Sequence, residues 1–167
     1  DMINWEKINQ ESKNLHISMT KLSLTISTAE SCTGGMLASA IIHNPGSSKL
    51  FNKGYITYSN ESKILELEVN PNILKEFGAV SKKCCLMMAK GLLKKTNTNI
   101  VLATTGIAGP EGGSNEKPVG LVWICYGNEK KQISNKFIFE GNRLDIRLKT
   151  TFQALKLTNQ FIKKFYL

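Results

Sequence analysis

Apolar residues recur along this chain with two periods, and each change of period marks an element. Trp5, Ile8, Leu15, Met19 and Leu22 fall at three- and four-residue steps, with Ser12 on the same stripe, which predicts an amphipathic N-terminal helix lying on a sheet. Leu22 to Thr28 then alternates apolar with polar, as a strand does, and runs into Ala29-Glu30-Ser31-Cys32-Thr33-Gly34-Gly35 and a short apolar helix, Met36 to Ile42. Gly54 to Ser59 is rich in β-formers, and Asn60 to Leu67 starts on a good N-cap and turns helical. A short proline-started helix is expected between Val69 and Phe77. Gly78 to Ser81 then leads into a longer helix through Lys95, capped by Ser81, with Leu86, Met88, Ala89, Leu92 and Leu93 as core candidates.

Ile100 to Thr105 is a continuous apolar run, the pattern of a central strand buried on both faces. The glycine- and proline-rich segment from Gly106 to Pro118 reads as a long loop at that strand's end. Val119 to Tyr126 and Gln132 to Phe139 predict an antiparallel hairpin, and Gly141-Asn142-Arg143 opens a closing helix striped by Leu148, Phe152, Leu155, Ile162 and Phe165. This order of elements predicts an α/β fold: a three-layer α/β/α sandwich around a mixed sheet of about five or six strands.

Composition adds bounds. At 167 residues the chain fits one domain spanning 1–167, and 41% hydrophobic with 21% charged residues is the balance of an ordinary globular protein. The net charge of +9 would suit an anionic partner, but the lysines are scattered in pairs such as Lys82-Lys83 and Lys130-Lys131, with no dense basic tract interleaved with aromatics. A small phosphorylated molecule therefore fits better than nucleic acid or a membrane surface. Cys32, Cys84, Cys85 and Cys125 lack C-x-x-C spacing, and neither His16 nor His43 lies at ligand spacing from a cysteine, so reduced thiols, a cytoplasmic setting and no metal are expected. Neither a charged-then-apolar leader nor a membrane-length apolar run is present, so neither secretion nor a membrane span is expected.

The candidate chemistry centres on Pro45 to Lys63, which holds Ser48, Tyr58 and Lys63. Lys63 falls at the start of a predicted helix, where the partial positive charge of the N-terminus disfavours an ammonium and lowers its pKa. That cost to stability is an asset for a base. The strand–turn–helix corner around Ser31, Thr33, Gly34 and Gly35 is a way to present backbone N–H groups to an anion, although it equally suits tight packing and helix capping. Arg143 and Arg147 stand at the start of the last helix, against its dipole, which makes sense if they face a phosphate.

Several ordered motifs carry a resemblance. TAESCTGG at Thr28 to Gly35, PGSS and GYITYSNESK within Pro45 to Lys63, GAVS at Gly78 to Ser81, TGIAGPEGGSNEKPVG at Thr105 to Gly120 and GNR at Gly141 to Arg143 together resemble the CinA C-terminal domain family. That family is known for nicotinamide-nucleotide amidase activity. The resemblance implies a stand-alone amidase that converts nicotinamide mononucleotide to nicotinate mononucleotide and ammonia without a cofactor. It also implies Ser48 as nucleophile with Tyr58 and Lys63 as its catalytic partners, and Ser31, Thr105 and Arg143 in the substrate pocket. Thr33, Gly34, Gly35 and Gly106 complete the expected substrate contacts. Lys82 departs from the acidic residue that often follows GAVS.

Ser31, Ser47 and Ser59 compete with Ser48 as nucleophile, Cys32 is a further one, and His43 lies close enough in sequence to assist. A non-catalytic nucleotide-binding module would keep the pocket while serving a partner, and the sequence leaves homo-oligomer formation open. A lysine near its usual value of about 10.4 would have to fall to about 7 to act as a base near neutrality.

Overall fold

The computed structural model describes residues 2–167. Helix α1 (Trp5–Leu22) begins where the Asn4 side chain accepts from the Lys7 N–H. It ends where Ser23 turns left-handed (φ 54°) and returns its N–H to Met19 and Thr20. This turn assigns Leu22 to the helix and delays strand β1 to Ile26–Glu30, later than the alternation alone suggested. After β1 come helix α2 (Met36–Ile42), a 3-10 turn at Ser47–Lys49 and strand β2 (Phe51–Ile56). Strand β2 starts three residues before the predicted one, because Phe51 pairs with Ile26 of β1.

Three helices follow: α3 (Asn60–Leu67), α4 (Pro71–Phe77) and α5 (Lys82–Lys95). Strands β3 (Ile100–Gly106), β4 (Leu121–Gly127) and β5 (Gln132–Ile138) and helix α6 (Arg143–Tyr166) complete the fold. Helix α6 opens on a capping box in which Asn142 and Asp145 satisfy each other's backbone N–H groups.

The five strands lie in the order β2-β1-β3-β4-β5. The first three are mutually parallel, and β4 and β5 run antiparallel. Alternate residues of β3 feed two cores, as a strand period of two requires. Ile100 and Leu102 join Ile8, Leu37, Ile41 and Leu155 from α1, α2 and α6. Val101 and Ala103 join Leu67, Cys85, Met88 and Leu92 from α3 and α5. The result is the expected three-layer sandwich with a mixed sheet. Of the N-terminal stripe, Ile8, Ser12, Leu15 and Met19 are buried and Trp5 is not.

The crossovers decide where a site can form. Chain leaving β1 enters α2 on one face, whereas chain leaving its neighbour β2 enters α3 on the other. Adjacent strand ends that diverge in this way open a crevice at their carboxyl ends.

Helix α3 is held by one close approach. A Cβ on Gly91 of α5 would come within 2.3 Å of the Leu67 carbonyl oxygen at the end of α3. Gly91→Ala should therefore push the two helices apart and destabilise the protein by about 1–3 kcal/mol, lowering Tm by roughly 2–12 °C. An unchanged or higher Tm in a thermal melt would show that this contact is not tight.

Candidate active site

Strand β2 ends at Ile56, and the next three residues turn across the end of the sheet. The Thr57 N–H donates to the Glu30 carbonyl, and the Ser59 side chain accepts from the Ser62 N–H to cap α3. One turn later, the Lys63 side chain runs back inward. Lys63 is 1% exposed, and its Nζ lies 2.7 Å from the Thr57 carbonyl oxygen, 3.1 Å from that of Tyr58 and 2.9 Å from Ser31 Oγ. Among the described residues it has no carboxylate partner.

Burial is the main cause that pulls the Lys63 pKa below its ordinary 10.5. The neighbouring Cys84, Cys32 and Cys85 oppose the shift only so far as they ionise. Burial drives the thiols the other way, Cys32 up to about 12 and Cys84 to about 11. They are neutral near pH 7, and a thiolate nucleophile at Cys32 is disfavoured.

A neutral amine has two hydrogens and one lone pair. Two carbonyl oxygens at hydrogen-bond distance can take both hydrogens, which leaves the lone pair for the third neighbour, the Ser31 hydroxyl. This is the geometry of a serine nucleophile with a lysine general base.

Ser31, Cys32, Tyr58, Lys63, Ala79, Val80, Thr105, Gly106, Ala108 and Arg143 line a cavity of about 220 Å³. The Thr105 hydroxyl donates to the Ala79 carbonyl and ties the α4–α5 connection to the end of β3. At the mouth, Arg143 donates from Nη1 to the Gly109 carbonyl at 2.7 Å and from Nη2 to the Tyr58 hydroxyl at 3.0 Å.

The structure thus gathers Ser31, Tyr58, Lys63, Thr105, Gly106 and Arg143. It does not bring Ser48 to them. Ser48 is exposed on the 3-10 turn and does not line the cavity. The PGSS segment serves as a connection instead. Ser47 Oγ donates to the carbonyls of Ile41 and Asn44 at the end of α2, and Gly46 faces His16 of α1. Tyr58 also differs from expectation: its backbone carbonyl faces the lysine, while its hydroxyl meets Arg143. His43 is exposed beside a separate groove lined by Glu6, Asn9 and Lys13.

The expected anion cradle at Thr33 to Gly35 is already filled from within. Glu30, fully buried, accepts from the Thr33 hydroxyl at 2.6 Å and from the N–H groups of Gly35, Leu37 and Ala38 at 3.2, 2.9 and 3.1 Å. The chain's own carboxylate takes the place a phosphate would occupy at this helix start. The Gly34 N–H returns to the Ser31 carbonyl. Arg147 likewise faces the carbonyls of Cys32 and Thr33. The sequence signal for Glu30 was an acid one residue before a hydroxyl- and glycine-rich corner. Nothing local marked Ala79 and Val80 as cavity walls.

A family model described as CinA C-terminal domain matches residues 8–162. A protein named as competence-damage inducible in Clostridium beijerinckii is 47% identical over 159 residues, which cover 95% of this chain and 38% of that protein. One of the same name in Clostridioides difficile is 48% identical over 137 residues, 82% of this chain and 33% of that protein. The chain therefore spans about a third of the length of these relatives. Among solved structures, the competence/damage inducible protein CihA from Agrobacterium tumefaciens superposes with a TM-score of 0.91 at 39% identity, covering 93% of this chain and 95% of that one. The competence damage-inducible protein ComA from Klebsiella pneumoniae gives 0.91 at 28% identity, covering 95% and 98%.

An activated serine should be detectable without knowledge of its substrate. Labelling of Ser31 by a fluorophosphonate should accelerate as pH rises, with a midpoint below 10.5, because the reactive form carries neutral Lys63. Lys63→Met should slow labelling by about 10²–10⁴-fold. A pH-independent rate, or one insensitive to Lys63, would contradict the pairing.

Proposed function

The chain belongs to the CinA C-terminal domain family, and from that premise we propose that it is an amidohydrolase converting nicotinamide mononucleotide to nicotinate mononucleotide and ammonia. The observation that carries this reading is the 2.9 Å contact between Ser31 Oγ and the buried Lys63 Nζ. A structural role explains it poorly, since burying an amine without a counter-ion costs stability.

In the proposed reaction Ser31 Oγ attacks the carboxamide carbon while Lys63 takes the hydroxyl proton. The tetrahedral intermediate collapses, Lys63 returns that proton to the departing nitrogen, and ammonia leaves. The pyridine carbonyl is then an ester on Ser31. Water attacks the ester, again giving a proton to Lys63, and that proton returns to Ser31 Oγ as the carboxylic acid is released and loses its remaining proton to the ammonia formed or to solvent. Water is consumed and ammonia produced, with no change of oxidation state and no cofactor.

The cavity supports a division of the substrate. At about 220 Å³ it is smaller than the roughly 300–1,000 Å³ that drug-sized ligands fill, so it suits an aromatic amide head and not a whole nucleotide. The ribose phosphate would remain at the mouth, where the exposed Arg143 guanidinium offers paired donors to a phosphate. A non-catalytic nucleotide-binding module would use the same mouth, but it leaves the buried amine without a purpose.

Purified protein incubated with nicotinamide mononucleotide in metal-free buffer should release ammonia. Ser31→Ala should abolish the release, and Ser48→Ala should keep turnover within about twofold, the range of an exposed surface change. Arg143→Ala should raise KM more than it lowers kcat. Normal turnover by Ser31→Ala, or loss of turnover in Ser48→Ala, would overturn the assignment of the nucleophile. No ammonia from the wild-type chain would overturn the substrate.

A further inference from the structure

The turn from Ser31 to Gly35 meets an anion on one side and a cation on the other. The Gly35 N–H and the Thr33 hydroxyl, joined by the N–H groups of Leu37 and Ala38 in α2, donate to the buried Glu30 carboxylate. The carbonyls of Cys32 and Thr33 accept from Arg147 Nε at 2.9 Å and Nη2 at 3.3 Å, across more than a hundred residues of chain. A Cβ on Gly34 would stand 3.1 Å from Arg147 Nη2, a tight contact, and its φ of 56° is a backbone conformation that L side chains rarely adopt.

Glu30 acts on the base as well. Its backbone carbonyl accepts from the Thr57 N–H, and the Thr57 carbonyl accepts from Lys63 Nζ. One residue thus fixes the end of the strand that presents the serine and registers the neighbouring strand whose carbonyl orients the lysine. The Thr33 hydroxyl adds a tie to Thr104 of β3 at 2.9 Å. Neither Glu30 nor Arg147 lines the cavity.

We propose that Glu30 and Arg147 are a pair of positioning residues that hold the Ser31 turn between opposite charges and thereby keep Ser31 Oγ within reach of Lys63. This rests on Ser31 and Lys63 being the reacting pair. The carboxylate restrains the Thr33 hydroxyl and the Gly35 N–H, and the guanidinium restrains the Cys32 and Thr33 carbonyls. Loss of either charge lets the turn shift, and a misplacement of about 1 Å can cost on the order of a hundredfold in rate.

The test uses the full chain with Glu30→Gln, Arg147→Lys and Arg147→Ala. Glutamine keeps the shape of Glu30 but turns one acceptor into a donor facing N–H groups. In Glu30→Gln and Arg147→Ala, kcat on nicotinamide mononucleotide should fall about 10–100-fold with KM within about twofold. The midpoint of the rising pH–rate limb should stay in place, because the burial of Lys63 is untouched. Arg147→Lys should recover part of the loss, and added guanidinium should restore Arg147→Ala.

Unchanged kcat in both variants would overturn the proposal, as would a rise in KM alone or a moved pH midpoint. If Glu30→Gln does not fold, the guanidinium experiment on Arg147→Ala decides, and failure of rescue in a folded variant counts against the clamp. If the wild-type chain releases no ammonia, the same variants are compared by fluorophosphonate labelling of Ser31. Slower labelling in them then supports the clamp while the substrate assignment falls, and equal labelling overturns the clamp. A wild-type chain that neither hydrolyses nor labels overturns both.

Discussion

Burial of one primary amine constrains the rest of the site. Lys63 reaches the carboxyl end of the sheet from the first turn of α3, and its side chain is removed from water with no carboxylate partner among the described residues. The low-dielectric surroundings disfavour the ammonium, and the two carbonyls of Thr57 and Tyr58 can accommodate a neutral amine's hydrogens. In that neutral form the lone pair is left to the third hydrogen-bonding neighbour, Ser31 Oγ. Cap, strand end and helix start together put a buried amine beside a hydroxyl.

That arrangement depends on topology more than on local sequence. Parallel pairing of β1 and β2 sets Glu30 opposite Ile56, so the residues that follow each strand emerge side by side. The chain then departs to opposite faces of the sheet, and the gap between the two departures is the cavity. Thr105 and Gly106, at the end of β3 on the other side of β1, close its floor. Three strand ends therefore contribute to a site smaller than a nucleotide, with Arg143 of α6 reaching across its mouth to Tyr58 and Gly109.

The fold was legible because periodicity reports burial directly. The Ile8–Leu15–Met19 stripe and the unbroken Ile100–Ala103 run both read correctly, as did the three layers. The strand boundaries slipped where a backbone event outweighed the pattern: the left-handed Ser23 ended α1, and pairing with Ile26 drew Phe51 into β2. At the site, Lys63 was visible as a lysine out of place at a helix start. Ser31 was visible as a pocket residue and a competing nucleophile but stood behind Ser48, which is nearer in sequence, whereas Ser31 is 32 residues away and arrives only through strand pairing. The corner at Thr33 to Gly35 misled for a different reason. Its amides look free to an outside anion until the preceding Glu30 is seen to fold back onto them. Glu30 and Arg147 act through contacts that spacing cannot reveal.

A serine–lysine pair can work only if Lys63 sheds its proton near the working pH. The most direct measurement is an NMR titration of the side-chain nitrogen in protein labelled with ¹⁵N-lysine, the Lys63 signal being assigned by its loss in Lys63→Met. A midpoint below the ordinary 10.5, set by burial of the amine, is the expected result. A midpoint at or above 10.5 would mean that Lys63 is held as an ammonium beside Ser31, and the serine would have no base.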